Sequence, residues 1–149
     1  MYTDTVTIFN KHGDSKNGIT WYPTVLHNVD LITDKAANVA KTGLESADTV
    51  KLHVRYILTD GVITTAGKTY KRPKEWAAQS ETALATTLTF STGDLFMRGE
   101  YATTPINNAD PAYKSGFQDY INKAYDDVCL ITTVGGPYKL IPHFEIGGK

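Results

Sequence analysis

From Val50 to Leu58 the chain alternates with a period of two. Val50, Leu52, Val54, Tyr56 and Leu58 fall on one face, and Lys51, His53 and Arg55 on the other. Successive strand side chains point to opposite faces, so this run specifies a strand with one dry and one wet face, as in an antiparallel sheet packed on a core. A slip of one residue would bring every charge inside. The chain opens in the same rhythm: Val6 and Ile8 alternate with Thr5 and Thr7. After HGDSKNG (residues 12–18), Thr20, Tyr22, Thr24 and Leu26 alternate with Trp21, Pro23 and Val25. Asn17-Gly18 tolerates the positive φ of a hairpin turn. Pro23 cannot donate to a ladder, which places an edge or a bulge there.

The remaining segments are shorter. Ala36–Ser46 is small and polar without sustained period and reads as a loop. Asp60-Gly61 reads as a turn, Gly67–Tyr70 as a short strand, and Pro73–Gln79 as a short helix with Pro in its first turn. Leu88–Phe90 and Leu95–Arg98 read as strands around the turn Ser91–Asp94, and Ala102–Pro111 as loop. Lys114–Ala124 reads as an amphipathic helix, with Phe117, Tyr120, Ile121 and Ala124 at spacings of three and four. Val128–Val134 reads as a strand, Gly135-Gly136-Pro137 as a turn, and Tyr138–Ile146 as a closing strand broken or edged at Pro142. The expected fold is therefore mainly β: a small antiparallel β-barrel or sandwich with one or two short helices and long loops, in one domain spanning residues 1–149.

The charge balance narrows the function classes. With 15 Lys and Arg against 16 Asp and Glu, the net charge of −1 supplies no bulk attraction to nucleic acid or an anionic membrane. Cys129 is the single cysteine, so no intrachain disulfide forms. It lies in the apolar run Val128-Cys129-Leu130-Ile131, a context for a buried small hydrophobe rather than a nucleophile. Met1–Asn10 lacks the basic and apolar regions of a secretory signal, and no run has the length of a spanning helix, so use in the cytoplasm without a membrane is the expectation.

Nothing in the sequence converges on catalysis. His12, His27, His53 and His143 are scattered and form no HxH, HxxxH or HExxH pair, so neither a metal nor a cofactor is expected. Asp126 and Asp127 are adjacent, and adjacent strand residues face opposite ways, which is unsuited to a carboxylate dyad. The most basic stretch is KTYKRPK, where Lys68, Lys71, Arg72 and Lys74 surround Tyr70. These four cations are candidates for contacting phosphate, although a solvated loop face is the simpler reading. Two rivals to a non-enzymatic structural role remain. One is a β-barrel enzyme or ligand-binding protein using His53, His143 or Asp94. The other is an oligonucleotide-binding barrel using Lys68, Tyr70, Lys71 and Arg72.

The segments DTVTIFN, ITWYPTVLHNVDL, KAANVAKTGLESADTVKLHVRY, FSTGDLFMRGE and YDDVCLITTVGGPYKLIPHFEIGGK together resemble head–tail connector proteins. These are the head-closure, or stopper, proteins of tailed phages and prophages of Gram-positive bacteria, with their uncharacterised prophage relatives. The likeness covers roughly two thirds of the chain, in order. Lys71–Thr87 and Ala102–Tyr125 are longer than in a minimal stopper, so an adaptor or tail-completion role is a close neighbour. The resemblance implies a β-barrel virion protein assembled in the host cytoplasm. It would form a homo-oligomeric ring in the neck, between a portal or adaptor ring and the tail, and would be monomeric when isolated. It also implies a loop facing the channel and the packaged DNA. Ala36–Ser46 occupies that place, making Val39, Lys41, Thr42, Gly43 and Glu45 channel or inter-ring candidates.

Overall fold

A computed structural model describes residues 2–33 and 50–149. The chain is mainly β, built on a large antiparallel sheet. Strands β1 (Asp4–Asp14) and β2 (Gly18–Thr33) form the opening hairpin. Its turn is fixed by Asp14, whose Oδ1 accepts from the backbone N–H of Lys16 at 3.0 Å and of Asn17 at 2.7 Å, while Gly18 takes the positive φ of +93°. β2 then changes partner. Through Val29 it pairs with β1, and from Asp30 it pairs with β3 (Val50–Arg55). The change falls next to Asn28, which sits at φ +56°.

β8 (Leu95–Arg98), β10 (Val128–Tyr138) and β11 (His143–Gly148) complete the sheet. Pairing runs β1-β8-β10-β11-β3-β2, with β2 also paired to β1 in the opening hairpin. β9 (Ile106–Asn107) adds to the flank of β2 at Thr20 and Trp21. A second, four-stranded sheet carries β4 (Ile57–Thr59), β5 (Val62–Thr65), β6 (Lys68–Tyr70) and β7 (Thr87–Leu88) in that order. Three helices lie among the described residues: α1 (Pro73–Ala77), α2 (Glu81–Thr86) and α3 (Phe117–Ala124).

The strand from Val50 behaves as its alternation dictates. Val50, Leu52, Val54 and Tyr56 are buried, while Lys51 and Arg55 are exposed. They pack with Val6, Ile8, Phe96, Phe144 and Ile146 in the main core. Leu58 departs from the pattern and is exposed. After Arg55 the chain leaves the large sheet: the Tyr56 N–H donates to Pro142 at 3.3 Å, and Ile57–Thr59 pair with β5.

From Val6 to Asn10, β1 is dry on both faces. Thr7 was expected on a wet face, yet it is buried, with its hydroxyl donating to the Gly99 carbonyl at 2.8 Å and accepting from the Tyr101 N–H at 3.0 Å. The cause is a second core, in which Phe117 and Ile121 of α3 cover Phe9, Trp21, Leu95 and Met97. A third cluster seats Trp76 of α1 and Leu84 of α2 on Tyr22.

Several boundaries differ from the sequence expectation, among them those near the end of the chain. Gly135-Gly136-Pro137 is not a turn but an irregularity within β10, where the register to β11 shifts between Gly135 and Tyr138. A Cβ on Gly135 would stand 2.6 Å from the Tyr138 hydroxyl, and Gly136 holds φ +103°. The turn is instead Lys139–Pro142, so the closing strand begins at His143 and Pro142 lies outside it. Within Ala102–Pro111, read as loop, Ile106 and Asn107 form β9.

Candidate functional groove

Two tight turns shape one end of the molecule. Thr59 pairs with Val62 across Asp60-Gly61, and Thr65 pairs with Lys68 across Ala66-Gly67. Both central residues of each turn have positive φ: +51° and +78° in the first, +55° and +74° in the second. That is the backbone of two-residue hairpins. From β6, Tyr70 drops its ring into the core, 4.8 Å from Phe144 and stacked 6.0 Å from Phe90. Burial raises its pKa. The next residue is held by its own backbone, the Lys71 N–H donating to Leu88 at 2.9 Å. Arg72 and Pro73 then lead into α1, which Trp76 anchors edge-on to Tyr22 at 5.8 Å.

Between this segment and the end of β10 runs a groove. Its larger part, about 480 Å3, has Leu58, Val62 and Ile63 on one wall and Lys71, Arg72 and Lys139 as its cations. Glu75 is the one carboxylate in that lining. A contiguous part of about 400 Å3 shares Tyr70, Arg72 and Pro137 and extends to Ser91, Thr92 and Val134. Among the described residues no carboxylate forms an ion pair with Lys71, Arg72 or Lys139.

The rim is apolar. Leu140 is 98% exposed, Ile141 68% and Ile57 67%, with Leu58 and Val62 also exposed. The hairpin β4–β5 and the turn Lys139–Pro142 stand side by side, joined by the Tyr56 to Pro142 hydrogen bond and by a 2.7 Å bond from the Tyr56 hydroxyl to the Tyr138 carbonyl. Scattered exposed apolar residues need no explanation, but five large ones at one end do.

The basic stretch is split by this geometry. Lys71 and Arg72 line the groove, whereas Lys74 is exposed on α1 outside it. Lys68 turns the other way: its ammonium donates to Thr24 Oγ1 at 2.9 Å and to the Pro23 carbonyl at 3.4 Å, and burial lowers its pKa. Lys139 replaces it, a residue that sequence reasoning missed because it lies far along the chain from the basic run.

The residues of the rival readings do not gather into one site. His53 and His143 do meet, their rings 6.0 Å apart and their Nε2 atoms 3.5 and 3.8 Å from Glu145 Oε1. They sit on β3 and β11, where Glu145 is the cross-strand partner of His53. The His143 Nδ1 faces the Ile141 carbonyl at 2.6 Å. Among the described residues no group of three or more His, Cys, Asp and Glu is disposed to hold a metal ion.

Asp94 is elsewhere and buried. Its carboxylate accepts from Asn10 Nδ2 at 2.9 Å, from the Lys11 N–H at 2.9 Å and from the Ser91 N–H at 3.2 Å. Burial pushes its pKa up to about 7 against the pull of those bonds. This carboxylate ties β1 to the turn before β8. Cys129 is buried in the main core. Val39, Lys41, Thr42, Gly43 and Glu45 lie outside the described residues. Among the described residues no helix is long and apolar enough to cross a membrane.

Comparison with curated proteins and with solved structures finds no match. A family model does match, over residues 1–149. The chain thus belongs to DUF6751, a family of unknown function.

Proposed function

We propose that this protein is a virion structural component of a tailed phage or prophage, a head–tail connector subunit of the head-closure kind, working by protein–protein contact in the neck. The observation that carries the reading is the exposed apolar surface at this end: Ile57, Leu58 and Val62 on the hairpin β4–β5, and Leu140 and Ile141 on the adjoining turn. Exposed apolar patches of this kind, bordered by charge, mark contact surfaces that are covered in an assembly. The mainly β architecture and the segments that resemble connector proteins agree with it. In this reading the rim meets a neighbouring neck component.

The test is compositional and genetic. Particles from a producing strain should contain the chain in fixed proportion to the portal protein, and deleting its gene should leave filled or leaking heads without joined tails. Its absence from purified particles, or normal particles without it, would overturn the proposal.

A further inference from the structure

We infer that the groove receives the acidic end of a second copy of this chain, making a head-to-tail contact between subunits. The inference rests on the assembly reading of this surface and supplies one of its partners. Both halves of the contact are present in one molecule. At the Tyr138 end of β10 lie the groove cations Lys71, Arg72 and Lys139, with the apolar wall of Leu58 and Val62. At the Val128 end of the same strand the chain emerges from α3 as Tyr125-Asp126-Asp127. The length of β10, eleven residues with an irregularity near its Tyr138 end, separates the two.

The acidic end carries an excess of carboxylates. Arg98 is shared between Asp4 and Asp127, at 3.6 Å from each. Glu100 faces His27 at 3.4 Å. Asp126 is exposed and forms no ion pair among the described residues. Beside it Tyr125 is 43% exposed, one edge resting on Tyr101 at 5.6 Å. An exposed aromatic followed by a carboxylate that pairs with no cation among the described residues matches a groove with an apolar wall and three cations that pair with no carboxylate among them. Aromatic anchors with a complementary charged surround are what gives an interface both affinity and register.

The two surfaces are different patches at opposite ends of one strand, so the contact is heterologous. Such a contact repeats from copy to copy, and it closes into a ring where the rotation between copies permits. Glu75 in the groove lining opposes an incoming carboxylate, which favours seating Asp126 toward Arg72 and Lys139 rather than toward α1. A nucleic acid is the weaker occupant. Tyr70, the aromatic that would stack a base, already has its ring packed on Phe90 and Phe144.

Sedimentation velocity on the full chain, up to millimolar concentration and at low ionic strength, tests the contact. The expected result is reversible self-association that added salt weakens. The double variant Arg72→Glu, Lys139→Glu and the single variant Asp126→Lys should each weaken it roughly tenfold or more, as should Tyr125→Ala. Mixing the double variant with Asp126→Lys should restore association, because acidic groove then meets basic loop. All four positions are at least partly exposed on the described surface, and an unchanged thermal midpoint certifies each fold. Should the double variant not fold, Asp126→Lys and Tyr125→Ala carry the test.

A chain that stays monomeric at the highest concentration, or association indifferent to these changes, overturns the contact. So does tighter binding of an oligonucleotide than of a second copy. Failure here, with the chain still present in particles, would leave the virion role standing. Self-association by a chain absent from particles would do the reverse.

Discussion

Asp94 shows how a single residue ties stability to pH. Its carboxylate is buried among Asn10, Lys11 and Ser91, and desolvation lifts its pKa from 3.8 to about 7. Between those two values the folded protein keeps a proton that the unfolded chain has released. Its contribution to stability is therefore fully present below about pH 4, is lost as pH rises toward 7, and then levels, a change on the order of 4 kcal/mol. Thermal melts at pH 5 and pH 8 should show the wild type less stable at the higher pH. Asp94→Asn should shrink that difference while lowering stability at both, since an amide offers one acceptor where three donors converge. Equal pH dependence in the two proteins would refute the assignment. Cys129 is a second residue-scale case. It is buried in the main core, so its thiol should react with a disulfide reagent far more slowly in the native protein than in denaturant. Native reaction at the denatured rate would show that the strand opens readily.

At the scale of elements, what could be read from sequence follows how local each cause is. The strand expected over Val50–Leu58 forms over Val50–Arg55, where alternation sets it, and the turn Asp60-Gly61, set by backbone preference, forms as expected. The expected helix Lys114–Ala124 forms from Phe117, since Gly116 before it stands at φ +91°. Helix α2 was not foreseen. Its Thr residues disfavour a helix, and its signals are Ser80, whose Oγ accepts from the Ala83 N–H at 3.3 Å, Glu81 in the first turn, and Leu84, which buries against Trp76 of the preceding helix. Ser80→Ala should cost about 1 kcal/mol, the usual worth of such a cap. Phe117→Ala should cost about 3–5 kcal/mol, because Phe117 is fully buried between Phe9, Trp21 and Tyr113 and its loss opens a cavity. Urea unfolding of each variant reads both numbers. A loss below 1 kcal/mol for Phe117→Ala would mean that α3 is peripheral to folding. The misplaced turn at Gly135-Gly136-Pro137 has a partly non-local cause: besides Tyr138 close by in the chain, those glycines answer to His143 and Glu145 of the facing strand.

At the scale of the whole molecule, the groove was only half legible. Lys71 and Arg72 stood out as part of a basic run, but Lys139 joins them only because β10 returns its far end beside β6 and α1. The apolar rim was hidden for the same reason. Leu58 continues an alternation that predicts burial, and it is exposed because the chain has left the large sheet two residues earlier. Leu140 and Ile141 precede Pro142 and look like part of a strand, yet they cap a turn. This rim supplies the prediction that bears most directly on function. Replacing Leu140 and Ile141 together by serine removes apolar surface that the isolated protein does not bury. The thermal midpoint should stay within the range of ordinary surface substitutions, about 0.5 kcal/mol of stability. In a phage complementation assay the same double variant should cut the yield of tailed particles sharply, since the apolar centre of a contact carries most of its energy. An Asp14→Ala variant, which loosens the opening hairpin at the turn and leaves the rim intact, serves as the control for mild destabilisation. If Leu140→Ser, Ile141→Ser gives wild-type particle numbers, the rim is not the neck contact. If it instead lowers the melting point as far as the control does, the turn is part of the folding core and its exposure has another cause.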